Sequence, residues 1–414
     1  MRRSLRRISL PILSLALALA GSGRAARAAD WPQFRGPLRD GVSTEKGLLR
    51  SWPATGPKVL WKRPIGEGYS GVSIAGGRLY TMDSDDKTEF ALCLDPATGK
   101  EIWRTAVGPK FLDELGNGPR ATPTVDDDSV FVLGAKGALV ALKAADGAKV
   151  WTVELTALGG KVPTWAYSSS PLVDGGLVVL EVGGPGKSLV AFDRATGAVK
   201  WAVGDGDAAY SSPVIMTIGG VKQYVINQRA GSKIVSLSTA GEILWSHTGP
   251  PSNITMPLFI PPDRVYLSSG DDAGALLLRI KSEGGKWSVE ELWKNRVMKN
   301  HFHGSVLVGE HLYGFDNGTF KCISVATGEQ TWAQRGLGKG SVLLADGLLI
   351  VQSDRGDVVL AEANPAAYVE KSRFQALEGK SWTAPTLSGG RLYVRDQDEI
   401  ACLDLQAHSQ GAAR

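Results

Sequence analysis

The chain has 414 residues, 43% of them hydrophobic and 21% charged, with a formal net charge of +4 that its first segment supplies. Residues 1–28 hold six arginines and no acid, which leaves 40 basic against 42 acidic groups, so charge gives no argument for a nucleic-acid or membrane-surface partner. Three cysteines, an odd number, exclude a disulfide framework, and a chain this long exceeds one ordinary domain unless it is modular.

Arg2, Arg3, Arg6 and Arg7 precede an apolar run from Ile8 to Ala20, and Ala26-Arg27-Ala28 has the small-x-small form of a cleavage site. Residues 1–28 therefore read as a signal peptide cleaved near Ala28. The run is about half of what a spanning helix needs, and no later segment approaches that length. The expected product is periplasmic or secreted, without a transmembrane segment. Arg6-Arg7-Ile8-Ser9-Leu10 is a weak twin-arginine signal, and no cysteine near Ala28 offers a lipid anchor. Residues 29–57, with WPQFRGP from Trp31, read as an extended strap with no room for a domain.

From Lys58 onward one phrase recurs. ALCLDPATGKEIW ends at Trp103, ALVALKAADGAKVW at Trp151, AFDRATGAVKW at Trp201, KIVSLSTAGEILW at Trp245 and FKCISVATGEQTW at Trp332. Trp61, Trp103, Trp151, Trp201, Trp245, Trp293, Trp332 and then Phe374 are spaced by 42, 48, 50, 44, 48, 39 and 42 residues. That period matches a four-stranded propeller blade. In the third unit, alternating runs predict strands over 168–173, 177–182 and 188–192, then a fourth carrying Trp201. Gly197 supplies positive φ at the last turn, where a side chain would be strained. Asp193 and Thr196 are placed to hydrogen-bond that turn, and Trp201 to pack on the neighbouring blade. Helical periodicity is weak throughout, with Lys110 to Leu115 as the one segment suited to a turn or two. Cys93, Cys322 and Cys402 occupy repeat positions held elsewhere by Ala141 and Ala191, which marks them as small buried filler; a Cys93–Cys402 bridge is the alternative.

Counting seams gives eight blades, seven of them between Trp61 and Phe374. The eighth takes Thr383 to Leu387, Arg391 to Arg395 and Ile400 to Leu405 from the C-terminus, and Lys58 to Trp61 as its fourth strand. This closure protects the sheet edges. The expected fold is all-β: an eight-bladed β-propeller over 58–405, of four-stranded antiparallel blades, its ring closed by the N-terminal strand. Residues 406–414 read as a disordered tail.

The A-x-D-x-x-T-G-x-x-x-W phrase, complete as AFDRATGAVKW, resembles the tryptophan-docking motif of the PQQ-like (pyrrolo-quinoline quinone) β-propeller repeats. That superfamily includes quinoprotein alcohol dehydrogenases and BamB-type outer-membrane assembly proteins. The resemblance implies that each motif tryptophan stacks on the peptide at the next motif's glycine. GPRATPTV at Gly118, KNHFHGSVL at Lys299, GKGSVLLADG at Gly338 and WTAPTLSGGRLYVR at Trp382 are similar to an uncharacterised secreted bacterial branch. The motif speaks to fold, since one fold hosts many functions.

Loops entering the innermost strands of a propeller form its usual ligand surface. Here they contribute Arg120, Trp165, Tyr167, Tyr210, Asn300, His301, His303, Lys339 and Trp382, a funnel both aromatic and cationic. The cations favour an anionic or carbohydrate-like ligand, and the rings offer stacking faces. Alternatively, these side chains plug the tunnel and pair with Glu67 or Asp207. His301 and His303 stand i, i+2 in an expected strand and so share a face able to hold zinc or copper. No third ligand is evident among His247, His311 and His408, so no metal is expected. Ser84-Asp85-Asp86, Asp271 to Gly274 and Asp354 to Gly356 superficially resemble calcium loops, but they fall where hairpins turn.

Resemblance to the quinoprotein dehydrogenases implies a vicinal cysteine pair, a Ca²⁺ held by carboxylates and an amide, and an aspartate base. No two cysteines adjoin here, and Glu67, Asp205 and Asp207 are the nearest carboxylates, which argues against PQQ with calcium. No P-loop, dinucleotide fingerprint, G-x-S-x-G or H-E-x-x-H is present, so no catalytic residue is assigned. The expected function is a monomeric, non-catalytic binding or scaffold module of the cell envelope, without nucleic-acid partners. It would engage an envelope protein, as BamB-type proteins do, or a saccharide or peptide. PQQ-dependent oxidation is the alternative.

Overall fold

Short apolar runs separated by Gly, Asp and Pro turns cannot bury both faces alone, and in the computed structural model they do so by stacking in a ring. The structure describes residues 30–229, 231–250 and 254–407; the expected signal peptide and residues 408–414 of the expected tail lie outside them. Eight antiparallel sheets form the ring. Blade 1 spans 73–109, blade 2 124–154, blade 3 172–203, blade 4 214–248, blade 5 258–295, blade 6 306–334 and blade 7 341–375. Blade 8 combines Thr386–Ser388, Arg391–Arg395 and Glu399–Asp404 with Lys58–Pro64, and Trp61 lies opposite Cys402. The eight-bladed, all-β expectation therefore holds, with one addition. Blade 7 carries a fifth strand, Val42–Ser43, running parallel to Ser341–Ala345.

The seams follow the repeated phrase. Indole Nε1 of Trp61, Trp103, Trp151, Trp201, Trp293 and Trp332 donates to a turn carbonyl of the next blade, at Pro96, Ala144, Arg194, Thr239, Val325 and Asn364 respectively. The turn glycines lie against the rings. A Cβ on Gly197, whose φ is +73°, would sit 2.8 Å from the Trp151 ring. Asp193 Oδ1 accepts from the Ala195 and Thr196 amides and from Thr196 Oγ1, which fixes the turn under that ring. Phe374 fills the last seam against Gly56. Trp245 is the exception: blade 5 joins its outer strands through a long hairpin, Gly274–Glu283 and Lys286–Asn295, without the motif, and Trp245 donates to Gln223 in its own blade.

Arg395 reinforces the closed ring. Fully buried in blade 8, its guanidinium donates to the carbonyls of Ser70, Met82, Gly66 and Gly68 and to Thr81 Oγ1, so it stitches blade 8 to blade 1. Burial pushes its pKa down to about 10, still high enough for it to remain charged.

The segment expected as an extended strap departs from that reading. Residues 32–41 coil through successive turns, and Val42–Ser43 and the bridges of Trp31 to Ile74 and of Leu48 to Gln406 are sheet-like. Gln406 and Ala407, expected in a disordered tail, are held against the strap by that last bridge and by the Ala407 amide donating to the Gly47 carbonyl. Lys110 to Leu115 makes no helix; the one helical element described is the 3₁₀ turn Leu155–Leu158. All three cysteines are free and buried, as filler requires. Among the described residues no helix is long and apolar enough to cross a membrane.

Candidate functional site

Each inner strand is introduced by a hydroxyl residue, often just ahead of a proline that has no N–H to donate. These hydroxyls link blades around the channel. Gly71 N donates to Thr122 Oγ1, Thr122 N to Ser170 Oγ, and Ser170 N to Ser212 Oγ. The belt satisfies amides that a strand start would otherwise leave open. It also fixes the loops above it, which carry the candidate side chains.

Seven of those candidates line one open cavity of ≈ 430 Å³: Arg120, Trp165, Tyr210, His301, His303, Lys339 and Trp382. Two do not. Tyr167 is fully buried between blades 2 and 3 and donates its hydroxyl to the Val182 carbonyl at 2.8 Å. As i, i+2 residues of a strand the two would share a face, but Ala166 between them takes φ +69°, which breaks the extended run and turns Tyr167 away from Trp165. Asn300 is also buried: its amide donates to the Phe315 carbonyl and its Oδ1 accepts from Ser305 Oγ. Both serve packing. Nor do His301 and His303 lie in a strand; the loop around them is irregular, so the shared face expected of them does not form.

Two aromatic clusters line the cavity. Tyr69 stacks on Trp382 with centroids 5.6 Å apart, and Phe302 lies 4.4 Å from Trp382 and 4.2 Å from His301. Trp165 and Tyr210 pair at 5.3 Å. Tyr69 and Phe302 belong to the same inlet loops as the candidates, so the rule that named Trp165 and Trp382 could have named them too. Arg120 organises the lips rather than pairing with an acid. Its guanidinium donates to the carbonyls of Trp165, Gly116 and Gly118 and lies 5.0 Å from the Phe111 ring centroid. Glu67, a proposed partner for these cations, instead takes Lys110 and Asn117.

Lys339 Nζ lies 3.3 Å from His301 Nδ1 and 5.6 Å from the Phe302 centroid, and it makes no ion pair among the described residues. That contact makes His301 Nδ1 an acceptor, and burial together with the Lys339 charge pushes the His301 pKa down. His303 Nε2 lies 2.8 Å from the Trp382 carbonyl, which requires it to donate. Its Nδ1 is then a bare acceptor, buried and without a partner. Burial pushes the His303 pKa down to about 4, so the ring is neutral at pH 7.

The floor of the funnel is filled by the strap. Phe34 reaches the funnel from below, its ring 6.2 Å from His303. Arg39, 3% exposed, donates to the carbonyls of Ser170, Pro171 and Pro213, and its Nε to Gln33. Arg35 donates to the Asp40 and Ser305 carbonyls. Burial pushes Arg39 down to about 9 and Arg35 down to about 10, so both remain cations facing carbonyl dipoles. Nothing in the local sequence distinguishes these arginines from solvent-exposed ones in a Gly/Pro-rich strap.

A closed ring of eight four-stranded blades, six of its seams made by the motif tryptophans, with a side-chain-lined funnel, defines a PQQ-like β-propeller. The chain belongs to the family described as outer membrane protein assembly factor BamB, whose profile matches residues 87–334 and 321–410. It is 24% identical to BamB of Yersinia pestis over 338 residues, covering 75% of this chain and 78% of that one. It is also 23% identical to a polyvinylalcohol dehydrogenase of a Pseudomonas species over 337 residues, about half of that enzyme. Among solved structures, BamB from Moraxella catarrhalis aligns with a TM-score of 0.60 at 14% identity, over 85% of this chain and 99% of that one. The quinohemoprotein alcohol dehydrogenase of Comamonas testosteroni aligns at 0.61 and 12% identity, over 92% and 81%. At these identities the structural matches speak to the fold.

Proposed function

We propose that this protein is an exported, non-catalytic binding module of the cell envelope, with the open funnel as its recognition surface. One observation carries this reading: Trp165 is 46% exposed and yet held fixed. Ala166 beside it takes φ +69°, a conformation that costs a non-glycine residue about 1 kcal/mol, while Arg120 binds the Trp165 carbonyl and Tyr210 packs on its ring. An indole held in strained backbone against water adds little to the fold, so its use lies in what it contacts. BamB-type relatives, named as outer-membrane assembly factors, support the envelope setting. The test is a thermal-shift screen of envelope saccharides and peptides against wild type and a Trp165→Ala/Lys339→Gln variant. Ligands that stabilise only the wild type are expected. The reading fails if every ligand found acts equally on both.

The dehydrogenase relative favours a second reading, quinone-dependent oxidation. The funnel's residues do not fit a quinone with calcium. Asp113 and Asp271 are its only lining carboxylates among the described residues, and Asp113 already accepts from the Leu115 amide. The cysteines lie buried in the sheets, away from the funnel. Titration with PQQ and Ca²⁺, followed for a bound quinone spectrum, separates the readings.

A further inference from the structure

We propose, resting on the funnel reading above, that the ligand is a saccharide acid: a pyranose ring that stacks on Trp165 and carries a carboxylate to Lys339. Three independent features select this chemistry. Trp165 presents a flat apolar face, suited to the C–H face of a sugar ring as much as to an aromatic one. Lys339 brings an ammonium that makes no ion pair among the described residues, held over Phe302 and near one acceptor, His301 Nδ1. Its remaining N–H donors need an acceptor, and an anionic oxygen is the strongest available.

The third feature is the bare Nδ1 of His303, buried at the funnel wall with no donor to meet it. A buried acceptor left unpaired carries a desolvation cost, which a ligand hydroxyl would offset. Hydroxyls of Ser168, Ser170, Ser212 and Thr383 line the same cavity and supply further partners for a polyol. A peptide acid would satisfy Lys339 but brings few hydroxyl donors; a neutral sugar would satisfy His303 but leave Lys339 open. A cavity of ≈ 430 Å³ falls within the roughly 300–1,000 Å³ of small-ligand sites, enough for the end of a chain rather than its whole length.

The probes are trigalacturonate, its fully methyl-esterified neutral counterpart, and a hyaluronan tetrasaccharide as a second uronate, each titrated calorimetrically into the full chain. At least one uronate should bind one to one, with the neutral ester weaker by about tenfold, as expected for loss of a charge-assisted hydrogen bond. Lys339→Gln should remove that tenfold preference while leaving ester binding unchanged, and Trp165→Ala should weaken acid and ester alike. Both side chains are at the surface of the funnel, so circular dichroism and melting temperature should match wild type. If ester and acid bind equally, carboxylate recognition is overturned and the funnel reading stands. If neither uronate binds but a peptide or PQQ does, in a Trp165-dependent manner, the saccharide acid is overturned and the funnel still stands. If neither uronate binds and no ligand depends on Trp165, both readings are overturned.

Discussion

Beneath the funnel, two arginines in left-handed backbone, Arg35 at φ +60° and Arg39 at φ +58°, press their guanidinium groups against carbonyls at the starts of the inner strands. At the inlet end a tryptophan and a lysine face open space, and the one arginine there, Arg120, is spent on holding the lips in position. Both ends use cations against carbonyl dipoles. They differ in whether the donors are used up: at the plug they are met by the protein itself, whereas at the funnel Lys339 and His303 keep unfilled valences. A channel sealed on one side and unsaturated on the other is a cup, and the difference teaches which end is structure and which is available for contact.

Substitutions should separate the two ends by the size of their effect on stability. Arg39→Leu should do the most. It strips donors from three buried carbonyls at about 1–3 kcal/mol apiece when water does not replace them, for a loss on the order of 4 kcal/mol in chemical denaturation. Arg39→Lys should recover little of it, because an ammonium cannot fork to several acceptors. If Arg39→Leu leaves the midpoint unchanged, the plug is ornamental and the contrast between the ends collapses.

Next comes pH, acting at the boundary between the ends. His303 has its pKa pushed from 6.5 to about 4, so below 6.5 the unfolded chain takes a proton that the folded one refuses. Its contribution is therefore complete above pH 6.5, declines as the pH falls, and is gone below about 4, a swing on the order of 3 kcal/mol. His303→Gln keeps an N–H for the Trp382 carbonyl, and thermal melts across pH 4–7 should show a flatter slope for it than for wild type. An unchanged slope would place His303 in a wetter site than its burial implies.

A smaller effect belongs to Gly41, where φ is +77° and a Cβ would meet the Arg35 guanidinium at 2.7 Å. Gly41→Ala should cost about 1–2 kcal/mol, read by the same denaturation, through backbone strain and displacement of that side chain. The smallest belongs to the funnel: Lys339→Gln should move stability by no more than about 0.5 kcal/mol, because a half-buried ammonium without an ion pair, held by one long hydrogen bond to His301, contributes little to folding. A larger loss would assign Lys339 to the scaffold.

The seams were legible in the chain because the same physical problem is solved at each one. Trp151 on Gly197 and Asp193 under its turn are local arrangements repeated with the blade, so period and residue type reveal them together. Trp245 breaks the pattern where the hairpin of blade 5 runs past the seam and its glycines, Gly284 and Gly285, lie under no ring, and KSEGGKW in place of the motif already shows it. The funnel was legible by inlet loop but not by side chain. Tyr167 and Asn300 share those loops with Trp165 and His301, and only the backbone twist at Ala166 and the irregular run through His301 sort contact from core.

The sequence by itself determined the ring: blade number, closure by strands from both ends, and the indole seams, all consequences of short-range periodicity and turn chemistry. Tertiary structure alone decided the cup. Phe34, Arg35 and Arg39 lie more than a hundred residues from the nearest of the inner-strand carbonyls and the histidine they meet, and no spacing rule links them. Their placement follows from channel carbonyls that the inner strands leave without donors, a need that exists only once eight blades have closed around it.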